Sequence, residues 1–285
     1  MSHLFDRKDV DVAWCPGCGN FGILKLIKEV LEELEVEKKN TVIVSGIGQA
    51  AKTPYYVDTN MFGVLHGRAL PIATAIKVAN PNLIVVAEGG DGDMYGEGGN
   101  HFINTIRRNV NIVHIVHNNM VYGLTKGQAS PTSQKGYKTG AQVNGVVNEP
   151  FNPLAVALSL KAGFVSRVSI ASPEHAQHAK GVLKAAFEHH GYALVDILQP
   201  CVTFNKTNTY QWFRDNSYIL GADYDKSDFK EGIEKSFEQM PMPLGVIFQD
   251  KNNLETLEQS IRKETLPLHK TTHNISKIQK HFNVY

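Results

Sequence analysis

Two carboxylates lie inside a turn built to receive phosphate. The stretch "GGDGDMYGEGG", residues 89–99, crowds six glycines around Asp91 and Asp93, with Glu97 close behind, just after the apolar run "LIVVA". A glycine-rich turn after a strand brings backbone amides up to a phosphate, and bare carboxylates there would repel it. The repulsion disappears when a divalent cation bridges Asp91 to a diphosphate. Mg2+ demands octahedral oxygen coordination and takes only a few of its ligands from protein. The next apolar strand ends in "HNNMVYGL", where Asn119 offers a side-chain carbonyl and Val121 a backbone carbonyl. In a parallel sheet the strand ends lie side by side at the carboxyl edge, where α/β ligand sites form. Asp91, Asn119 and Val121 are therefore expected to reach one ion.

A Rossmann dinucleotide site would keep acid out of the turn and place it about 20 residues on, at the end of the next strand. Here the acid is inside the turn, and that strand ends in asparagine. A second chemistry-bearing group is sulfur. Cys15 and Cys18 in "WCPGCGN" and Cys201 in "LQPC" are the three cysteines of the chain. An odd count with a C-x-x-C pair argues against a disulfide framework and for metal ligation or redox chemistry.

The elements that must position these groups alternate. Leu24, Ile27, Leu31 and Leu34 in "FGILKLIKEVLEELEV" form one helical stripe. "TVIVSG", "NLIVVAEGG", "VNIVHIVH", "FVSRVS" and "YALVDILQP" read as buried strands, separated by helices such as "GRALPIATAIKVAN", "GGNHFINTIRRN" and "FNPLAVALSLKAG". Ser172, Pro173 and Glu174 form a helix start, with an N-cap hydroxyl, proline at the first position and an acid in the first turn. This rhythm predicts an α/β fold, a parallel sheet covered on both faces. Residues 125–150 are polar and without periodicity, as functional lids are. Beyond Cys201 the alternation fades into aromatic "NTYQWF", the apolar strand "PLGVIFQD" and a basic tail.

A net charge of +1 gives no reason to expect nucleic acid or acidic membranes as partners. No apolar run is long enough to span a bilayer, and the charged start "MSHLFDRKDVDVAW" does not read as a secretory signal. The expected setting is cytoplasmic.

The GDG turn followed some two dozen residues later by asparagine resembles the thiamine-diphosphate fingerprint. With "WCPGCGNFGIL", "SGIG", "LHGRA", "GGDGD" and "YGLTKGQASPTS" in this order, the chain resembles the β subunits of the 2-oxoacid:ferredoxin oxidoreductases, over residues 12–250. The resemblance implies a doubly wound parallel sheet of the thiamine-diphosphate-binding (pyrophosphate domain) type over residues 1–200. Residues 201–285 would then be a C-terminal extension packed on the core or on a partner. It implies Mg2+ held by Asp91, Asn119 and the Val121 carbonyl, with Gly92 and Asp93 against the diphosphate. Ile47, Gly48, Gln49 and Ala50 would line the cofactor, together with His66, Gly67, Arg68 and Ala69. Gly123 and Leu124 would complete that lining, with Leu124 propping thiamine in its bent form. Catalytic roles fall to His66, as a donor to the diphosphate or an intermediate, and to Lys52 and Lys126, near a substrate carboxylate or coenzyme A phosphates.

Cys15, Cys18 and Cys201 match three ligands of a family [4Fe–4S] cluster, but Gln49 stands where the fourth cysteine is expected. Three outcomes stay open: a four-iron cluster completed by Gln49, water or another donor; a three-iron cluster; or a site that is empty or holds zinc. The activity implied is oxidative decarboxylation of a 2-oxoacid, 2-oxoglutarate favoured, to acyl-CoA and carbon dioxide. The implied partners are ferredoxin and an α (or fused γα) subunit, which supplies the glutamate that activates the cofactor. Two alternatives are a non-oxidative thiamine-dependent decarboxylase or synthase and a non-catalytic iron–sulfur or assembly subunit. The intact Asp91–Asn119 pair stands against the last.

Overall fold

The β-branched runs "TVIVS", "IVVAEGG", "VHIVHN", "FVSRVS" and "ALVDIL" are buried along nearly their whole length. Strands must be so when helices cover both faces of a sheet. The computed structural model describes residues 4–252, 254–262, 266–271, 276 and 279. Its strands are β1 Thr41–Ser45, β2 Asn60–Gly63, β3 Ile84–Gly90, β4 Val113–Asn118, β5 Phe164–Ser169, β6 Ala193–Leu198, β7 Ser217–Ile219 and β8 Met242–Gln249. They form one sheet in the order β2-β1-β3-β4-β6-β5-β8-β7.

Side chains alternate across each strand, so each face has its own apolar core. On one face Ile43, Val86, Ile115 and Val195 pack against α1 (Asn20–Glu33) and α5 (Pro173–Glu188) through Ile23, Ile27, Leu31 and Val182. On the other, Val44, Ala87, Val116 and Leu194 meet Leu70 of α2 (Ala69–Ala79), Phe102 of α3 (Gly99–Arg107) and Leu154 of α4 (Pro153–Ser159). The N-cap of α5 forms as its sequence predicts, Ser172 Oγ accepting from the His175 amide at 3.1 Å.

The α/β fold with its parallel core sheet is as the sequence predicts, and three features add to it. β2 is an added edge strand, parallel to β1. The segment after Cys201 joins the same sheet: α6 (Tyr210–Asp215), β7 and α7 (Phe229–Ser236) lead into β8, followed by the short α8 (Leu257–Ile261). β8 runs antiparallel to β5, so the sheet is mixed and not wholly parallel. Most of the basic tail lies outside the described residues. Among the described residues no helix is long and apolar enough to cross a membrane.

Candidate functional site

β3 and β4 are adjacent and parallel, pairing Gly90 with His117, so the residues that follow them emerge at one edge. After β3 the chain winds through a wide π-helical turn, Gly92–Glu97, before α3. After β4, Met120 takes a left-handed φ of +56°, and Asn119 Oδ1 accepts from the Val121 amide at 3.0 Å. This fold-back turns Asn119 and Val121 into the same cleft as Asp91.

Ile47, Gly48, Gln49 and Ala50 enter the cleft from the β1 end, and His66 enters from the β2–α2 loop. Gly92, Asp93, Gly123 and Leu124 also line it, joined by Gly90, Tyr122 and Thr125, which the sequence reading does not single out. Gly67 and Ala69 are buried and Arg68 is exposed, all three outside the cleft lining. Lys52 and Lys126 are also outside it: Lys52 Nζ reaches the Ala13 carbonyl at 3.5 Å, and Lys126 is exposed.

Asp91 is buried, and its Oδ2 accepts the hydroxyls of Ser130 and Thr132, each at 2.5 Å. Both come from the aperiodic 125–150 segment, which folds back over the strand ends. Burial pushes the Asp91 carboxyl up to about 6, against the opposing pull of those hydroxyls. A buried carboxylate held up in this way, beside an amide oxygen and a backbone carbonyl, is a hard oxygen donor set that suits Mg2+. Among the described residues no three His, Cys, Asp or Glu form a metal-holding group. The donor set expected at this cleft holds a single carboxylate, Asp91, with the amide oxygen of Asn119 and the backbone carbonyl of Val121 beside it in the lining.

Asp93 acts on the loops. Its Oδ1 accepts from the amides of Ile47 (3.1 Å) and Gly67 (2.8 Å), bracing the β1 end against the β2–α2 loop. Burial raises its carboxyl while those two amides lower it. His66 Nδ1 lies 3.1 Å from Asp93 Oδ1 and 3.3 Å from Glu97 Oε2, without the alignment of a hydrogen bond. Asp93 fits only because residue 46 has no side chain: a Cβ there would come within 2.1 Å of Asp93 Oδ2. Gly46→Ala is therefore expected to displace Asp93, lower stability by roughly 1–3 kcal/mol and weaken binding of a diphosphate cofactor. Thermal unfolding and cofactor titration check this.

Cys15, Cys18 and Cys201 share a second cavity with Trp14, Gln49 and Gln199. The Gly19 amide donates to the Pro200 carbonyl at 3.3 Å, joining the C-x-x-C turn to the segment that carries Cys201. Burial raises the Cys18 thiol, and the nearby Cys201 and Cys15 add to the rise. In a four-iron cluster each thiolate holds a different iron, so the sulfurs need not converge on one point. Three thiols and a buried, unpartnered Gln49 oxygen in one cavity fit such a group. Gln49, Asn119 and Gly123 line both cavities and form the wall between them.

Two buried polar networks, missed in the sequence, brace this edge. On the α2–α4 face, Asp196 accepts from Arg167 Nε (2.8 Å), Tyr95 OH (3.0 Å) and Asn118 Nδ2 (3.1 Å). Asn118 Oδ1 in turn lies 2.9 Å from the Thr132 hydroxyl that serves Asp91. On the α1 face, Glu88 Oε1 meets His117 Nε2 at 2.7 Å, and His117 Nδ1 meets Asn20 Oδ1 at 2.8 Å. Asn20 sits two residues after Cys18, so this chain ties the cysteine turn to β3 and β4. The sequence signal for both networks is a polar or charged residue inside a buried strand.

Residues 40–197 match the family "Thiamine pyrophosphate enzyme, C-terminal TPP binding domain", and residues 201–265 match the C-terminal part of the family "Pyruvate ferredoxin oxidoreductase beta subunit". The chain is 44% identical over 252 residues to a 2-oxoacid:ferredoxin oxidoreductase subunit beta of Sulfolobus sp., covering 84% of this chain and 82% of the relative. It is 46% identical over 197 residues to the Mycobacterium tuberculosis 2-oxoglutarate oxidoreductase subunit KorB, covering 69% of this chain and 52% of that one. A solved 2-oxoglutarate:ferredoxin oxidoreductase from Magnetococcus marinus, with 2-oxoglutarate, coenzyme A and succinyl-CoA bound, superposes with a TM-score of 0.85 at 34% identity. That match covers 99% of this chain and 90% of the solved one. With a thiamine pyrophosphate domain spanning the strand-edge cleft and relatives alike over most of their length, the chain belongs to the β-subunit family of the 2-oxoacid:ferredoxin oxidoreductases.

Proposed function

We propose that this chain binds thiamine diphosphate and Mg2+ within a heteromeric enzyme that converts a 2-oxoacid, 2-oxoglutarate in preference, and coenzyme A to acyl-CoA and carbon dioxide, with ferredoxin as electron acceptor. The carrying observation is the shared wall: Gln49, Asn119 and Gly123 separate an oxygen-lined cleft from a three-cysteine cavity. Thiamine diphosphate supplies a nucleophilic carbon and an electron sink for decarboxylation, and an iron–sulfur cluster supplies one-electron transfer.

The chain's own residues hold and orient. Asp91, Asn119 and the Val121 carbonyl anchor the cation, and the 125–150 segment covers Asp91 through Ser130 and Thr132. Asp93 sets the spacing of the two loops, and His66 stands at the cleft between two carboxylates. Cys15, Cys18 and Cys201 hold the cluster across the wall. Lys126, two residues beyond the cleft residue Leu124, and Lys52 are cations for a substrate carboxylate or coenzyme A phosphate. Ile47 and Leu124, which line the cleft, remain 42% and 45% exposed, an apolar rim suited to a partner subunit. That α subunit supplies the missing cofactor-activating acid, so the β chain alone turns nothing over.

Protons compete with the cation for Asp91. Cation affinity is expected to fall as pH drops through about 6, approaching tenfold per unit. The folded carboxyl lies above its ordinary 3.8, so its linkage to stability has the opposite sign to that of a salt-bridged acid. In metal-free protein the contribution is fully present below about 3.8 and lost as pH rises through about 6. Mn2+ titrations and melting at pH 5 and 7 read both effects.

Co-expression with the α subunit, followed by assay of each 2-oxoacid with coenzyme A and a low-potential dye, tests the function. Dye reduction dependent on coenzyme A and fastest with 2-oxoglutarate is expected. Carbon dioxide release without any electron acceptor would overturn the oxidative reading.

A further inference from the structure

Gln49 meets the cysteines at a point where its chemistry differs from theirs. Its side-chain oxygen is buried and faces no hydrogen-bond donor, an arrangement that folded proteins rarely leave uncompensated. Its backbone is fixed, because the Trp14 indole donates to the Gln49 carbonyl at 2.8 Å. With its backbone so held, Gln49 lines the cavity that Cys15, Cys18 and Cys201 also line. Gln199 shares that cavity and its side-chain oxygen is likewise buried without a donor, but its amide nitrogen ties the group to Cys18 Sγ at 3.6 Å and to the Pro200 carbonyl at 2.8 Å. Gln49 alone of the two also lines the thiamine cleft.

Resting on the cluster reading above, we propose that the Gln49 amide oxygen ligates the fourth iron of a [4Fe–4S] cluster whose other irons are held by Cys15, Cys18 and Cys201. Because Gln49 lines both cavities, an iron held there would be the one on the cofactor side and the one the site would release first. A neutral oxygen donor holds a thiophilic metal less firmly than a thiolate does. Replacing one thiolate by a neutral amide also leaves the cluster less negative, which raises its reduction potential relative to a four-cysteine site.

The test uses the complex co-expressed with its α subunit and purified without oxygen. Ferricyanide is the oxidant: one equivalent takes one electron from [4Fe–4S]2+ and one Fe2+ departs, leaving [3Fe–4S]+. Iron, acid-labile sulfide and the paramagnetic three-iron signal are measured. Wild type is expected to fall from about four to about three irons per four sulfides. Gln49→Cys is expected to keep its fourth iron under the same treatment and to have a lower reduction potential. Gln49→Leu, similar in size but without a donor, is expected to be isolated already at about three irons. The proposal is overturned if Gln49→Leu matches wild type before and after oxidation, or if Gln49→Cys loses iron as readily as wild type. Wild-type complex carrying zinc, or neither iron nor sulfide, would instead remove the cluster reading itself.

Discussion

Asp91→Asn is expected to lower the turnover of the assembled complex about a thousandfold and to remove the dependence of cofactor binding on Mg2+. The substitution keeps shape and swaps one charged oxygen for an amide, so its effect reports charge. Asp91 is buried, and among the described residues it has no cationic neighbour within hydrogen-bonding reach; Ser130 and Thr132 contact it through neutral hydroxyls. A diphosphate beside it is therefore tolerated only through a bridging cation. Metal-based charge stabilisation is worth several kcal/mol, and about 4 kcal/mol corresponds to a thousandfold in rate. Thr132→Val, which leaves the carboxylate but removes one supporting hydroxyl, is expected to weaken cation affinity about 10–100-fold. Isothermal titration with Mg2+ and thiamine diphosphate checks both. An Asp91→Asn complex that still binds cofactor in an Mg2+-dependent way would contradict this assignment.

Asp196→Ala is expected to be among the most destabilising single changes in the fold. Asp196 is fully buried and satisfies Arg167, Tyr95 and Asn118 at once. Removing it strands a buried guanidinium, which costs about 3–5 kcal/mol. By comparison, the Lys135–Glu149 pair is 62% and 74% exposed, and breaking it should cost less than about 1 kcal/mol. The same change frees Asn118 and so loosens Thr132 over Asp91. Reduced cation affinity is therefore expected alongside the lower unfolding midpoint. Denaturation of the complex within about 1 kcal/mol of wild type would show that Arg167 finds another partner.

The cleft is legible in sequence where local pattern and tertiary position coincide. Asp91 and Asn119 each follow a β-branched run, and parallel strands bring their ends to one edge. The same logic identifies Gly48, Gln49 and Gly123 as strand-end residues. Ser130 and Thr132 carry no such signal, because nothing periodic in residues 125–150 encodes the return of that segment onto Asp91. Asp93 is visible as an acid in the turn, but its engagement with the Ile47 and Gly67 amides depends on the empty space at Gly46. Asp196, Arg167, Glu88 and His117 place polar or charged groups in buried strands, and only the assembled sheet reveals their partners. β2 is too short and exposed to stand out. The antiparallel sense of β8 is not written in its own residues and shows only in its pairing with β5. The three cysteines signal a metal or redox site, whereas their sharing of a cavity with Gln49 needed the fold.

The most direct measurement is anomalous diffraction from crystals of the complex grown with thiamine diphosphate and Mn2+ in place of Mg2+. The expected map has one strong peak bonded to an Asp91 carboxylate oxygen, Asn119 Oδ1 and the Val121 carbonyl, about 2.1 Å from each, with the diphosphate on its far side. A peak elsewhere, or Asp91 and Asn119 turned away from the metal, would contradict the assignment of this cleft as the cofactor site.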